Sequence, residues 1–166
     1  MADDFKRSRN EPPSDHSHPY EIVRGLYISG HPDHTRDFMS KGVSAVIDLE
    51  GDVDTSIPQQ EKQGDTTLYV YWPIEDAEMP QHSTVRSIAA FVAQLMDAGE
   101  RVLVHCHSGH NRSGLICART LIAQGMSPQK AIDTVRAKRG DGHALDNDHF
   151  VEWLLQEDGR DGSGNG

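Results

Sequence analysis

The sequence predicts a single α/β domain, in which helices flank a central, mostly parallel, twisted sheet. Its length of 166 residues is that of one ordinary domain with enough chain to bury a core. Segments typical of short strands fill the first half, and three helical patterns close the chain. Between them a strand, a helix and a second strand follow one another, which indicates a parallel crossover connection.

The first half of the predicted domain carries four strands. The segment YEIVRGLYISG (20–30) has the composition of two short strands joined by a turn. VSAVIDL (43–49) is a continuous apolar run, typical of a buried strand, and TLYVYW (67–72) is rich in β-branched and aromatic residues. Residues 50–66 are predicted to form an irregular connector between these two strands.

The next two elements are a helix and a strand. An amphipathic helix is predicted to end at Gly99, before the strand RVLVH (101–105). Its apolar positions follow the i, i+3, i+4, i+7 spacing and are Val85, Ile88, Ala89, Val92, Leu95 and Met96.

Three further helices are predicted after that strand. SGLICARTLIAQG (113–125) is apolar nearly all round, as expected for a centrally packed helix that ends at Gly125. Ser127 and Pro128 begin the second, which ends at Lys138-Arg139-Gly140. Either Asp146 or Asn147 can cap the third, whose apolar residues are Phe150, Val151, Leu154 and Leu155.

Both ends of the chain are polar. We predict a disordered tail over residues 1–19, a folded catalytic domain over 20–157 and a flexible tail over 158–166. No segment has the features of a signal peptide or a membrane span, so we expect no membrane association. The only two cysteines do not suggest a disulfide framework, which favours a reducing, cytoplasmic location.

The charge balance limits the partners. The chain holds 16 Lys and Arg against 26 Asp and Glu, a net charge of −10. Binding to nucleic acid by phosphate neutralisation needs a broad basic face, which this balance disfavours. A small anion site can still exist locally.

The stretch VHCHSGHNRSG (104–114) joins a predicted buried strand to a predicted buried helix. The first turn of that helix has unpaired N–H groups and the positive end of the helix dipole, which together bind anions. Gly109 allows the loop to curl tightly, and Arg112 adds a planar fork of donors that matches two phosphate oxygens. Because this environment favours a thiolate at Cys106, the stretch predicts a nucleophile aimed at phosphorus.

Three other interpretations of this stretch are weaker. His105, Cys106, His107 and His110 form a possible zinc cluster, but zinc sites usually recruit ligands from two separated segments. A redox pair would need a second nearby cysteine, whereas Cys117 is predicted to pack in its helix. If Cys106 were only a buried structural residue, the loop would bind no anion and Arg112 would have no partner for its charge. We therefore expect neither a metal nor an organic cofactor.

HCHSGHNRSG resembles the His-Cys-x-x-Gly-x-x-Arg-Ser/Thr-Gly signature of the cysteine-dependent phosphatases, in particular their small dual-specificity branch, and the similarity extends over residues 20–155. The resemblance implies the fold of that superfamily and a phosphocysteine intermediate formed on Cys106. It also implies that Arg112 binds the phosphoryl group, that Ser113 assists departure of the thiolate, and that His105 holds the loop geometry. The expected substrate-binding residues of the loop are His107, Ser108, Gly109, His110, Asn111 and Arg112.

The general acid must come from another loop, because it has to face Cys106 across the phosphate. Asp76, in PIEDAEMP, resembles the residue on the mobile acid loop of that family, although Glu75 and Glu78 are close enough to compete. Asn147, in LDNDHF, resembles the asparagine that supports the phosphate loop. Its role as a helix cap is an equally good explanation, and the two roles require different atoms.

The expected substrate is a phosphorylated protein or peptide, with phosphotyrosine first and phosphoserine and phosphothreonine next. The loop has no lysine, which disfavours a phosphoinositide. GHNRSG also resembles the Gly-x-Asn-Arg-Thr-Gly of RNA 5′-triphosphatases, and only this alternative implies a nucleic-acid partner. A catalytically idle phosphate-binding module is the third interpretation, but binding alone requires neither a nucleophile nor an acid.

Overall fold

The computed structural model of the chain describes residues 16–32, 40–52 and 67–159. Its strands are β1 (Tyr20–Val23), β2 (Leu26–Ser29), β3 (Ala45–Asp48), β4 (Leu68–Tyr71) and β5 (Val102–His105). They form one sheet in the order β1-β2-β5-β3-β4, with β1 antiparallel to β2 and the other neighbours parallel. The predicted α/β class and the mostly parallel sheet are confirmed.

The helices are α1 (His82–Asp97), α2 (Arg112–Ala123), α3 (Pro128–Arg139) and α4 (Asp148–Gln156). Helix α2 is central, because it packs against the three other helices and against β2 and β5. Every residue from Ser113 to Ile122 is buried, as predicted for a helix that is apolar nearly all round.

The helix ends agree with the predicted capping signals, and the structure decides between the two candidate caps of α4. Asn147, and not Asp146, caps α4, since its side-chain oxygen accepts the backbone N–H groups of His149 (3.1 Å) and Phe150 (3.4 Å). Helix α3 begins at Pro128 and ends at Gly140, whose φ of +79° is the left-handed conformation that glycine adopts readily.

The apolar face of α4 differs from the prediction. Phe150 and Leu154 are buried as expected, but Trp153 is also buried and Leu155 is 46% exposed. The prediction for Leu155 was wrong because successive residues lie about 100° apart around a helix, which turns Leu155 away from a face centred on Phe150 and Leu154. In α1 the residues Val85, Ala89 and Val92 are fully buried, as their spacing predicts.

The carboxyl ends of three parallel strands meet at one edge of the sheet. Ser29 of β2 and Asp48 of β3 both lie beside His105, the last residue of β5. All three side chains are fully buried. In α/β sheets this edge is where ligands bind, so the loop after His105 begins at the centre of the sheet on its binding side.

Parts of the predicted domain organisation lie outside the described residues, namely 1–15, 33–39, 53–66 and 160–166. Most of both predicted tails and most of the connector 50–66 fall there, so the domain boundaries stay predictions. His16 itself lies against the domain, because its carbonyl oxygen accepts the N–H of Gly30. Among the residues described, no helix is both long and apolar enough to cross a membrane.

Cys117 lies in the core, as predicted. It is fully buried and has a free thiol, as Cys106 also has. Burial, together with the neighbouring Cys106, raises the pKa of the Cys117 thiol far above its ordinary value. Cys117 therefore stays neutral and packs as a small apolar residue.

An ion-pair network that the sequence did not predict ties α2 to the end of α4. Arg119 is fully buried in α2, and its Nε donates to Glu157 Oε2 at 3.0 Å. Arg86 of α1 donates to both oxygens of the same carboxylate, at 2.6 and 2.9 Å. Burial alone would raise the pKa of Glu157, but the hydrogen bonds and charges of the two arginines outweigh it, so the pKa lies below its ordinary value.

Glu157→Gln is expected to lower the free energy of unfolding by about 3 kcal/mol at neutral pH, because two guanidinium groups lose their counter-charge. A carboxyl with a depressed pKa stabilises the fold above its unfolded pKa, and this contribution is lost as the pH falls through the folded pKa. Denaturant unfolding should therefore show a difference between wild type and variant that shrinks at acidic pH. The exposed Glu152 of α4 provides the control variant Glu152→Gln; an equal loss there, or a pH-independent difference, would contradict the assignment.

Candidate active site

The candidate nucleophile lies at the start of the loop between β5 and α2. Cys106 follows His105 directly and is fully buried. Its Sγ accepts the backbone N–H of Gly109 at 3.3 Å and lies 3.1 Å from Ser113 Oγ. Two polar groups therefore point at the sulfur, and hydrogen bonds from such donors stabilise a negative charge on it.

Four successive carbonyl groups of this loop, from His107 to His110, are held by partners outside it. Since the N–H and C=O groups of a peptide point in opposite directions, holding these carbonyls outward directs the following N–H groups into the concavity above Cys106. The partners are His31 N for His107 O (2.9 Å), Arg139 for Ser108 O (3.3 Å) and Gly109 O (3.1 Å), and Leu145 N for His110 O (3.3 Å).

Gly109 is required at its position for two reasons. Its φ of +72° is the left-handed conformation, and a Cβ atom there would lie 2.4 Å from the carbonyl carbon of Ser29. The loop therefore approaches the end of β2 more closely than any side chain would allow.

Arg112 is the first residue of α2. It contacts the segment 73–80 after β4, which contains Asp76 and is called the acid loop here. Its terminal NH1 donates to the carbonyl oxygen of Ile74 at 3.4 Å. Its Nε is buried, and none of the described residues accepts a hydrogen bond from it. A phosphate oxygen in the concavity would supply the acceptor that this buried donor lacks.

Two asparagines hold Asp76: Asn111 of the phosphate loop and Asn147, the N-cap of α4. Asn111 Nδ2 donates to Asp76 Oδ2 at 2.8 Å, and Asn147 Nδ2 donates to Asp76 Oδ1 at 2.9 Å and to the carbonyl of Ala77 at 3.0 Å. Of the three competing carboxylates, Asp76 is therefore the one that these contacts hold over the loop.

Asn147 makes both of the contacts that the sequence left as alternatives. Its Oδ1 caps α4, its Nδ2 holds the acid loop, and its backbone N–H donates to Asn111 Oδ1 at 3.0 Å. The two roles are compatible because each uses a different atom. The contact with the phosphate loop is thus made by the main chain of Asn147.

His105 is enclosed by carboxylates beneath the loop. Its Nε2 lies 3.6 Å from Asp48 Oδ1 and its Nδ1 lies 3.6 Å from Glu50 Oε2. Glu50 also contacts His31 Nδ1 at 2.6 Å and His107 Nδ1 at 3.3 Å. Glu50 falls in the predicted irregular connector, so this contact was not expected from the sequence; its position just after a buried strand was the available signal.

His110 packs against a second group of polar side chains, on the other side of the loop. Its Nε2 bonds Asp141, and its ring lies edge-on to that of His16. Burial lowers the pKa of His110, and the charges of Arg139 and His16 add to this, outweighing the opposite effect of Asp141. His110 is therefore predominantly neutral at pH 7.

Two groups of metal-ligand type occur in the part of the chain that is described. One is His16, His110 and Asp141, and the other is Asp48, Glu50 and His105; the possible ligand atoms of each lie within 4.8 Å of one another. Neither group contains Cys106, unlike the zinc cluster considered from the sequence. In the first group the guanidinium of Arg139 already lies 3.2 Å from both Asp141 and His16.

The sequence that forms this site matches a known protein family. The model of the family "Dual specificity phosphatase, catalytic domain" matches residues 26–159. The chain belongs to this family. The phosphatase domain is 30% identical over 146 residues to mouse dual specificity protein phosphatase 2 and 29% identical over 152 residues to mouse dual specificity protein phosphatase 12. These matches cover 86% and 87% of the chain but only 43% and 42% of the relatives, so it spans less than half of their length.

Solved structures give the same fold. Tk-PTP in its active form has a TM-score of 0.66 and 27% identity, over 86% of this chain and 96% of that one. DUSP15 has a TM-score of 0.70 at 20% identity, over 84% and 86% of the two chains. The central sheet and its helices are therefore those of the cysteine phosphatases, as the sequence resemblance implied.

The phosphatase domain brings most of the sequence-predicted residues together. Cys106, Ser113 and Arg112 lie at or beside the loop, and Asp76 is held over it by Asn111 and Asn147. Several residues that contact the loop were not predicted as site residues, among them Glu50 and Arg139. Both lie far from the loop in sequence, so no motif within the loop could have revealed them.

Proposed function

We propose that this domain hydrolyses phosphate monoesters of proteins through a phosphocysteine intermediate. Phosphotyrosine is the first proposed substrate, with phosphoserine and phosphothreonine in the same class. The observation that carries the proposal is the position of Cys106 Sγ, at the floor of a loop whose carbonyls point outward, with the Asp76 carboxyl held over that loop. A nucleophile and an acid on opposite sides of a phosphate are what ester cleavage requires.

In the first step the Cys106 thiolate attacks phosphorus and the bond from phosphorus to the ester oxygen breaks. Asp76 donates its proton to that leaving oxygen. Arg112 binds two oxygens of the phosphoryl group and the charge that develops on them. Backbone N–H groups of the loop bind the terminal oxygens of the same phosphoryl group; the loop residues are His107, Ser108, Gly109, His110, Asn111 and Arg112.

In the second step water attacks the phosphocysteine and the bond between sulfur and phosphorus breaks. Asp76, now a carboxylate, takes a proton from the water. Ser113, whose Oγ lies 3.1 Å from Cys106 Sγ, donates a hydrogen bond to the departing thiolate. Inorganic phosphate leaves and the enzyme returns to its initial state.

The supporting residues keep these groups in place. His105 fixes the start of the loop through the carboxylates of Asp48 and Glu50, and Asn147 connects the acid loop to α4. The proposed partner is a phosphorylated protein or peptide, and the steps above use no metal or organic cofactor. A cytoplasmic location is part of the proposal and is supported by the two free thiols.

Two other functions are less well supported. In an RNA 5′-triphosphatase the leaving group is the 5′-diphosphate end of the RNA, which is stable as an anion and does not need an acid. Contacts that hold Asp76 over the loop therefore favour the phosphoprotein substrate. An idle binding module would have no use for a sulfur that is hydrogen-bonded at the base of the loop.

Asp76→Asn tests the proposed function. We expect kcat on a phosphotyrosine peptide to fall about 10²- to 10⁴-fold, because the phenolic oxygen then leaves without a proton donor. The loss should be smaller on an activated aryl phosphate, whose leaving group is stable as an anion. Phosphate release on both substrates, with Glu75→Gln as the neighbouring control, measures the difference.

An unchanged rate on the phosphopeptide would contradict the assignment of Asp76. If Glu75→Gln or Glu78→Gln then shows the loss, the acid has been assigned to the wrong carboxylate. If none of the three variants is affected and triphosphorylated RNA is the preferred substrate, the chain is an RNA triphosphatase.

A further inference from the structure

Arg139, the last residue of α3, lies behind the phosphate loop and is almost completely buried, with 1% of its surface exposed. Its Nε donates to the carbonyl of Gly109 at 3.1 Å and its NH2 to the carbonyl of Ser108 at 3.3 Å. Arg139 therefore binds two successive peptide groups of the loop, from the side opposite to the concavity above Cys106.

These two hydrogen bonds set the direction of the next two N–H groups. The peptide plane that carries Ser108 O also carries the N–H of Gly109, and that N–H points at Cys106 Sγ at 3.3 Å. The plane that carries Gly109 O likewise carries the N–H of His110. A rotation of either plane would bring a carbonyl oxygen toward the nucleophile and the bound phosphate, where its negative end is repelled.

Contacts from other segments fix the guanidinium itself. Its NH1 lies 3.2 Å from Asp141 Oδ2, its NH2 lies 3.2 Å from His16 Nδ1, and its Cζ lies 4.6 Å from the centre of the Tyr20 ring. Asp141 supplies the counter-charge that a buried guanidinium needs. Because Arg139 makes these three contacts as well as its hydrogen bonds to the two carbonyls, it has little freedom to move.

We propose that Arg139 is a positioning residue of the active site, which turns the peptide groups of Ser108 and Gly109 so that the loop amides face the phosphate. The proposal rests on the function proposed above. Arg139 does not touch the substrate and acts through the loop. Its fork geometry is needed because one group must bind two successive carbonyls, which an ammonium group does less well.

Arg139→Lys is the test, with Arg101→Lys as the control. Arg101 precedes β5, at the edge of the sheet opposite to the loop, and its NH1 donates to Tyr27 Oη (3.1 Å) and to the carbonyl of Lys41 (2.8 Å). We expect Arg139→Lys to lower kcat/KM about 10²-fold, mainly through kcat, because misplacement of the amides weakens binding of the transition state most. Arg101→Lys should stay close to wild type.

Tungstate affinity provides a second readout that does not depend on turnover. It is measured by calorimetry in proteins that also carry Cys106→Ser, and Arg139→Lys should weaken it while Arg101→Lys should not. Circular dichroism and thermal unfolding establish that each variant is folded; should Arg139→Lys not fold, Arg139→Gln, which retains a planar donor, takes its place in both measurements.

Tungstate affinity and kcat/KM that both stay at the wild-type level in a folded Arg139 variant would overturn the proposal. So would equal losses in the Arg101 variant, since they would show that the effect is not specific to the contacts with the loop. If the wild-type protein hydrolyses no phosphopeptide, the proposed function fails, but the comparison of tungstate affinities still decides the role of Arg139.

Discussion

Cys106→Ser is expected to abolish turnover, with a loss on the order of 10⁶-fold, while binding of tungstate stays largely intact. A serine hydroxyl is too weak an acid to ionise in this loop, and the thiolate is the attacking species in the proposed first step. The loop amides and Arg112, which bind the oxyanion, are unchanged by the substitution. Phosphate release from a phosphotyrosine peptide and calorimetric titration with tungstate measure the two effects.

Cys117→Ser is the matched control for this experiment. Cys117 is the other cysteine and is also fully buried, but it lies within α2 and contributes no group to the loop. Its replacement should lower stability, because a hydroxyl is placed in the core, and should leave kcat close to wild type. Turnover by Cys106→Ser above the rate of a blank would refute the phosphocysteine mechanism.

Local patterns in the sequence were sufficient for most of the fold. The apolar runs that became β3 and β5, the nearly uniform apolar surface of α2 and the stop at Gly140 all report on neighbouring residues, which is what periodicity and capping rules describe. Such rules did not predict that Arg119 would be buried. Its buried charge is satisfied by Glu157, which lies beyond two further helices in the sequence.

The active site, like the fold, was predictable where the residues that form it are close in sequence. The anion-binding character of the loop follows from a strand, a tight turn and a helix start that are contiguous in sequence. The groups that orient this loop come from elsewhere, and their residue types suggested simpler roles. Arg139 is a typical cation for the last turn of a helix, so no sequence rule predicted its contact with the loop. For Asn147 the family resemblance predicted support of the loop, whereas its contacts with Asp76 and Ala77 were not predicted.

Arg112→Lys is expected to lower kcat/KM about 10³-fold and to weaken binding of tungstate. Arg112 already gives one donor to the carbonyl of Ile74 and holds Nε buried without an acceptor among the described residues. An ammonium group keeps the charge but cannot contact the acid loop and two phosphoryl oxygens in one plane. Steady-state kinetics on a phosphotyrosine peptide and calorimetry with tungstate report the two losses.

The same change at Arg101 is the control, because Arg101 lies before β5, at the opposite edge of the sheet, and binds Tyr27 Oη (3.1 Å) and the carbonyl of Lys41 (2.8 Å). Near-normal rates for Arg112→Lys would mean that only the charge matters. In that case the rate should fall steeply with ionic strength, since steering by a single charge is screened by salt whereas a planar contact made inside the loop is not. The dependence of kcat/KM on salt in the two variants therefore separates electrostatic attraction from bidentate binding.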